Sequence, residues 1–351
     1  MLRNYTSTYP ITDLSTPVTG TSALNRFASD IADGLNRTLK TTSSKYFYDA
    51  EGSRLFQQIM HLPEYYLTRC EQEIFTTHKQ TIAKQLADGQ GSFNLVDLGA
   101  GDATKTKLIL QELLQQNAAF TYVPVDISGD AVSELCENLQ HELPQLQTQA
   151  IVGDYFDALD WLDATTPGRK VLLFLGSNIG NFAPEERTAF LQKVREHMQP
   201  GDMLLIGMDL CKAPETILQA YNDASGVTAA FNLNLLHRIN RELEGNFIVE
   251  QFAHFALYDP QQGVMKSYVV SKQQQDVSIK ATGQTFHFNA WEAIHTESSY
   301  KFTKQQLHDI AIENGFTLQH IFQDKNDYFA DVLYTVDQHD RTEPGLRGKL
   351  F

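Results

Sequence analysis

The strongest constraint on the fold of this chain is a rhythm that begins at Phe93. Apolar runs that suit strands ("FNLVDLG", "FTYVPVDIS", "TQAIVGDYF", "KVLLFLGS" and "DMLLIGMDL") alternate with stretches that predict helices to about Gln116, to about Leu143 and over Pro184 to Met198. Strands separated by helices build βαβ units, so the sheet is expected to be parallel and doubly wound. Runs as continuously apolar as "VLLFLG" suit strands covered on both faces. After Cys211 the rhythm breaks. A helical segment, "APETILQAYNDASGVTAAFNLNLLHRINREL", leads into alternating, hairpin-like strands such as "FIVEQFAHFALYD", "VMKSYVVSK" and "QDVSIKA". The segments "TKQQLHDIAIENGF", "TLQHIFQD" and "YFADVLYTV" then predict a helix and a closing antiparallel strand pair.

The start, "MLRNYTSTYPITDLSTPVTGTSALNRF", is rich in Thr, Ser and Pro and lacks a continuous apolar stretch, so it is expected to be an extended arm rather than an export signal. Leu24, Phe27, Ile31 and Leu35 recur at helical spacing from about Ala23 to Leu39, and a second helix is expected from about Glu51 through "SRLFQQIMHL". The expected organisation follows. Residues 1–59 form the arm and helices that join a substrate-binding part, and 60–212 form the doubly wound core. Residues 213–300 form the α+β substrate-binding part, and 301–351 close the core.

Composition removes several classes of function. The net charge is -15, from 28 Lys and Arg against 43 Asp and Glu, and the basic residues are scattered, so nucleic acid is not an expected partner. No run approaches the roughly 18 apolar residues of a membrane helix. Cys70, Cys136 and Cys211 lie far apart with no C-x-x-C and no His at ligand spacing, which argues against a disulfide framework and a structural zinc site. A reducing cytoplasm is the expected compartment.

The turn in "LVDLGAGDATKTKL" joins the first strand of the core to its helix. It offers G-x-G without the third glycine of a dinucleotide site and without the G-K-[ST] ending of a P-loop. A strand ending near Asp97 and a turn at Gly99-Ala100-Gly101 would let backbone approach a ligand at the carboxyl edge of the sheet; a plain strand-to-helix turn fits these residues equally well. Two further strand ends favour a ligand. Asp126 in "PVDIS" can accept both hydrogen bonds of a ribose diol, and Asp154 and Tyr155 in "GDYF" stand where an adenine would lie. This set, with no pyrophosphate-binding glycine, suits S-adenosylmethionine better than NAD.

Several long motifs in order resemble the bacterial histidine-specific Nα-methyltransferases that form hercynine on the ergothioneine pathway. They include "YFYDAEGSRLFQQIMHLPEYYLTR", "DLGAGDATKTK", "FLGSNIGNFAPEER", "PGDMLLIGMDL", "AYNDASGVTAAFNLNLLHRINREL" and "TESSYKF", and the likeness runs from about Lys45 to Val336. The resemblance implies a class I, Rossmann-like methyltransferase core with an added α+β substrate-binding domain, S-adenosyl-L-methionine as co-substrate and no metal. It implies that Tyr48, Gly99, Lys105, Asp126, Asp154 and Tyr155 line the methyl-donor site. It further implies that Tyr65, Asn181, Tyr221, Thr228, Glu297 and Ser299 face the amino acid, with Tyr65 and Asn181 at the reacting amine. The expected partner is a small amino acid, with neither nucleic acid nor membrane, and the expected state is a monomer.

The chemistry agrees with these residue types. Methyl transfer to an amine is a displacement, so alignment of the reacting atoms should dominate. Asn181 and Tyr221 can clamp the carboxylate and amino group of the substrate, and Glu297 with Ser299 can read an imidazole that bears one donor and one acceptor. Tyr48, Phe47 and Tyr65 supply aromatic faces that tolerate a growing quaternary cation. One departure bears on the substrate. Ser267 in "VMKSYVV" stands where the hercynine-forming relatives carry a methionine against the imidazole, with Met265 nearby. Alternatives are therefore an Nα-methyltransferase of another free amino acid or related amine, and a non-catalytic ligand-binding homologue. A nicotinamide oxidoreductase is a remote fourth.

Overall fold

The computed structural model describes residues 9–15, 20–88 and 91–336. A short strand β1 (Ile11–Asp13) precedes helices α1 (Gly20–Leu35), α2 (Ala50–Met60) and α3 (Tyr66–Leu86). The alternating core follows as β2 (Phe93–Leu98), α4 (Thr106–Gln115), β3 (Phe120–Asp126), α5 (Gly129–Glu142), β4 (Ala150–Val152), α6 (Tyr155–Thr165), β5 (Arg169–Phe174), α7 (Pro184–Glu196) and β6 (Met203–Asp209). Helices α8 (Pro214–Tyr221) and α9 (Val227–Leu243) lead to β7 (Phe252–Asp259), β8 (Val264–Ser271), β9 (Gln275–Ile279), β10 (Gln284–Phe288) and β11 (Ala293–Tyr300). Then come α10 (Lys304–Glu313), β12 (Thr317–Gln323) and β13 (Phe329–Thr335).

Eight strands form one sheet in the order β1-β4-β3-β2-β5-β6-β13-β12. Pairings from β1 to β6 are parallel, and β13 runs antiparallel to both β6 and β12, which is the closing pair expected from the sequence. All six residues of β2 are buried, as a strand covered on both faces requires. Alternation sorts its side chains: Leu95 packs with α3, α4 and α5 on one face, while Val96 and Leu98 pack with α6, α7 and α10 on the other. Between β2 and β5 the chain reverses its direction of winding, and the crevice at the carboxyl ends of these strands is the natural ligand site of such a sheet.

A third apolar cluster unites α1, α2 and α9 with the later strands through Phe27, Ile31, Phe47, Phe231, Val269 and Ile294. There β11, β8 and β7 form a three-stranded antiparallel sheet, and β10 pairs with β9.

Three local features differ from the sequence reading. The arm contributes β1, which pairs in parallel with β4 because Tyr9 and Ile11 pack on the small cluster around Val132, Cys136 and Val152. Helix α1 stops at Leu35, and Leu39, expected inside it, is 85% exposed. The run "TQAIVGDYF" is a strand only through Val152. Asp154 caps α6 by accepting the Phe156 N–H at 3.0 Å, so Tyr155 opens a helix instead of ending a strand.

Candidate functional site

The glycine turn after β2 is built from its buried end outward. Asp97 is a fastener: its Oδ2 accepts from Thr106 Oγ1 at 2.8 Å and from the Tyr122 hydroxyl at 2.9 Å, tying β2 to α4 and β3. Burial nonetheless pushes its carboxyl up to about 6. Gly99 and Gly101 have φ of +79° and +53°, conformations that favour glycine, and a side chain at Gly99 would place its Cβ 3.1 Å from the Tyr155 hydroxyl. Asp126 accepts the Gly101 N–H at 3.3 Å through Oδ2 and the Ser128 N–H at 3.0 Å through Oδ1. The predicted donor-site residues Gly99, Asp126, Asp154 and Tyr155 thus gather at the carboxyl ends of β2, β3 and β4. Burial, then the charges of Asp126 and Asp154, push the Tyr155 phenol up to about 12, so it stays protonated.

The other two predicted donor-site residues stand apart from these four: Tyr48 lines the cavity described below, and Lys105 is held in an ion pair. Its ammonium is ion-paired with Glu71, a carboxylate 1% exposed whose other oxygen accepts the Gly176 N–H at 2.7 Å. Glu71 therefore joins the helix after the glycine turn to the loop after β5. Burial and the Glu71 charge push the neighbouring Asp331 carboxyl well above the ordinary range. In the same loop Ser177 takes the left-handed φ of +59°, and its Oγ accepts the Asp209 N–H at 3.0 Å.

Beside the turn lies a cavity. The predicted residues Tyr48, Tyr65, Asn181, Tyr221, Thr228, Glu297 and Ser299 all line it, together with Gly176, Ser177 and Asn178 of the loop after β5. One wall is aromatic: Tyr48 lies 5.5 Å from Phe56 and 5.7 Å from Phe231 between ring centroids, and Tyr65 lies 6.3 Å from both Phe56 and Tyr221. Thr228 is fixed by its N–H, which donates to Asp223 Oδ1 at 2.8 Å at the start of α9.

The polar wall depends on a bulge in β11. Register runs His295 opposite Tyr268 and then Glu297 opposite Ser267, leaving Thr296 as the extra residue. Thr296 turns inward, its hydroxyl 2.9 Å from Asn232 Oδ1 and 3.0 Å from the Ser267 carbonyl. Past the bulge, Glu297 and Ser299 share the face that meets the cavity, while His295 remains on the other side against Tyr268. Burial pushes the Glu297 carboxyl up to about 7, with the Lys301 ammonium pulling the other way. Ser267 is 2% exposed, pairs directly across from Glu297 on β8 and does not line the cavity. Met265 lies opposite Ser299 and is buried against Ile217, Ala220 and Tyr221.

Sequence reasoning missed the buried charges that hold these walls. Asp209 at the end of β6 binds Lys301 at 2.8 Å and Lys212 at 2.5 Å and accepts the Tyr66 hydroxyl. The only sequence signal for Lys301 is its alternation with Glu297 and Ser299 in "TESSYKF". Nothing local marks Glu71, whose partners are distant in sequence, and Asp209 has one near partner, Lys212 three residues on, while Tyr66 and Lys301 are distant.

Comparison with known proteins agrees with this geometry. A family model described as a histidine-specific, S-adenosylmethionine-dependent methyltransferase matches residues 27–336. The histidine N-alpha-methyltransferase of Mycobacterium tuberculosis is 38% identical over 279 residues, covering 79% of this chain and 85% of the relative. That of Mycolicibacterium smegmatis is 34% identical over 303 residues, covering 86% and 92%. A 4-dimethylallyltryptophan N-methyltransferase of Aspergillus fumigatus is 26% identical over 308 residues, covering 81% and 87%. With its Rossmann-like class I sheet, its glycine cradle and this match over most of its length, the chain belongs to the histidine-specific, S-adenosylmethionine-dependent methyltransferases.

Proposed function

We infer that this methyltransferase acts on the α-amine of free L-histidine and methylates it three times to give hercynine, the step the family contributes to ergothioneine synthesis. The observation that carries the reading is the pairing of Glu297 and Ser299 on one face of β11, in the same cavity as Asn181, Tyr221 and the aromatic wall. A carboxylate and a hydroxyl two residues apart match a ring with one N–H and one bare nitrogen. A side chain lacking either would leave a buried polar group unpaired.

S-adenosylmethionine supplies a methyl group on a sulfonium. Gly99, Asp126, Asp154 and Tyr155 would hold its adenosine end and Tyr48 would reach its sulfonium end, with Lys105 acting from its pair with Glu71. In the transfer the amine nitrogen forms a bond to the methyl carbon as the carbon–sulfur bond breaks, so the amine must arrive without its extra proton. Burial, then neighbouring Tyr221, hold the Tyr65 phenol well above its ordinary value. Tyr65 is therefore a hydrogen-bonding partner that orients the amine, not a base. Asn181 and Tyr221 clamp the amino and carboxylate groups, Thr228 lies near the same end, and the aromatic wall accommodates the methylated cation.

The protein is read as working in two parts, the doubly wound core and the substrate-binding part of residues 213–300 with the N-terminal helices, with the amino acid between them. Among the described residues no helix is long and apolar enough to cross a membrane. A cytoplasmic monomer that uses only small molecules is the proposed state.

A second reading keeps the chemistry and changes the amino acid. Ser267 favours it, because a serine paired with Glu297 leaves more room beside that carboxylate than a methionine would. Mass spectrometry of the protein incubated with S-adenosylmethionine and a panel of free amino acids decides between them. A gain of three methyl groups on L-histidine is expected, and an unmodified histidine beside another methylated amino acid would establish the second reading instead.

A further inference from the structure

Lys301 is fully buried, and its ammonium has three N–H groups and no lone pair. All three are used at 2.8 Å: one on Asp209 Oδ2, one on the Tyr221 hydroxyl and one on Ser299 Oγ. Tyr221 and Ser299 in turn lie 2.9 Å apart, so one of their two hydrogens is spent between them. The phenol is the more acidic hydroxyl, which makes it the donor in that contact. Both lone pairs of Ser299 are then occupied, by Lys301 and by Tyr221, and its own O–H has no direction left except the cavity that it lines.

The charge count supports a purpose beyond folding. Asp209 is already neutralised by Lys212 at 2.5 Å and bonded by Tyr66. A second buried cation on one carboxylate exceeds what an ion pair requires, and a buried charge is costly unless something uses it. Besides Asp209, Lys301 donates to the two hydroxyls and acts electrostatically on Glu297, with Lys212, Cys211 and Tyr258 also within its field.

We propose that Lys301 is a positioning residue for ligand recognition: by donating to Tyr221 and Ser299 together, it fixes the Ser299 O–H as a donor into the cavity, beside the Glu297 acceptor. The ligand side chain that fits is a neutral azole with one bare ring nitrogen and one N–H. Without Lys301 the hydroxyl pair is free to reverse, and the cavity no longer distinguishes donor from acceptor at Ser299. The proposal rests on the histidine reading above.

The test is a double-mutant cycle of Lys301→Met with Ser299→Ala, reading KM for histidine, KM for S-adenosylmethionine and thermal melting. Lys301→Met is expected to raise KM for histidine about tenfold while KM for S-adenosylmethionine stays within about threefold, the signature of a lost hydrogen-bond direction. On the Ser299→Ala background the same change should add less than about threefold, because its route of action is gone. Independent costs that multiply in the double variant would overturn the proposal, as would an unchanged KM for histidine. If Lys301→Met does not melt cooperatively, Lys301→Gln replaces it in the cycle, and failure of that variant to fold makes the residue structural and ends the proposal. Wild-type protein that ignores histidine but methylates another amino acid sinks the histidine reading alone, and the cycle run on that amino acid then decides the role of Lys301. Wild-type protein that methylates none of the panel overturns both.

Discussion

Glu297 stands directly across from Ser267 in the β11–β8 register, one position beyond the bulge at Thr296; Glu297 lines the cavity, and Ser267, 2% exposed, does not. On the histidine reading, Glu297 is the residue of this pair that meets the ligand. Glu297→Ala is expected to lower kcat/KM for histidine by about 10- to 100-fold, the loss of one charge-assisted hydrogen bond. Turnover by mass spectrometry checks it, and a variant within threefold of wild type would remove Glu297 from recognition.

The same carboxyl should leave a mark on stability. Burial pushes it up to about 7 from its ordinary 4.5, so between these values the folded state binds more protons than the unfolded chain. Stability from this group is therefore present at low pH and lost as pH rises through that window. Asp97, pushed up to about 6, adds a slope of the same sign, which makes the comparison with Glu297→Gln the informative one. Ligand-free wild type should lose Tm from pH 4.5 to 7 more steeply than the variant; parallel curves would contradict the shift.

Asp209 offers a test of the buried charges. It is 0% exposed and holds Lys301 and Lys212, so Asp209→Ala strands two cations in the interior. A loss of about 3–5 kcal/mol is expected from breaking such an arrangement on one side. Chemical denaturation measures it, and a loss below 1 kcal/mol, on the order of an exposed pair, would show that water reaches these groups.

At the glycine cradle, Gly99→Ala forces a side chain into a left-handed conformation and toward the Tyr155 hydroxyl. Affinity for S-adenosylmethionine should fall about tenfold, a cost of 1–2 kcal/mol, with the fold retained. Calorimetric titration reads this directly, and unchanged affinity would place the donor away from the turn.

The core of the fold was legible because its strands are buried on both faces and its helices are not, so periodicity reports the layers. The aromatic and polar residues of the cavity were reachable only through motif likeness, since Tyr65, Asn181, Tyr221 and Glu297 come from four separate elements. The supports beneath them were not legible. Glu71 bonds Gly176 and Lys105, and Asp209 bonds Tyr66 and Lys301, contacts that no local pattern encodes. Tyr155 was misplaced for the opposite reason: its local apolar run continued a strand pattern, and the cap at Asp154 overrode it.

The single unpaired residue at Thr296 gives the strand a change of phase. Upstream, odd-numbered His295 looks outward; downstream, odd-numbered Glu297 and Ser299 look inward, and Lys301 continues their parity into the interior. Shortening the chain by that one residue would preserve every hydrophobic side chain of the sheet's upstream half, yet it would rotate the two cavity-lining polar groups and the buried ammonium that supports them outward together. Chemistry on this strand is consequently inherited or lost as a block: a length change of one has the effect of three simultaneous substitutions.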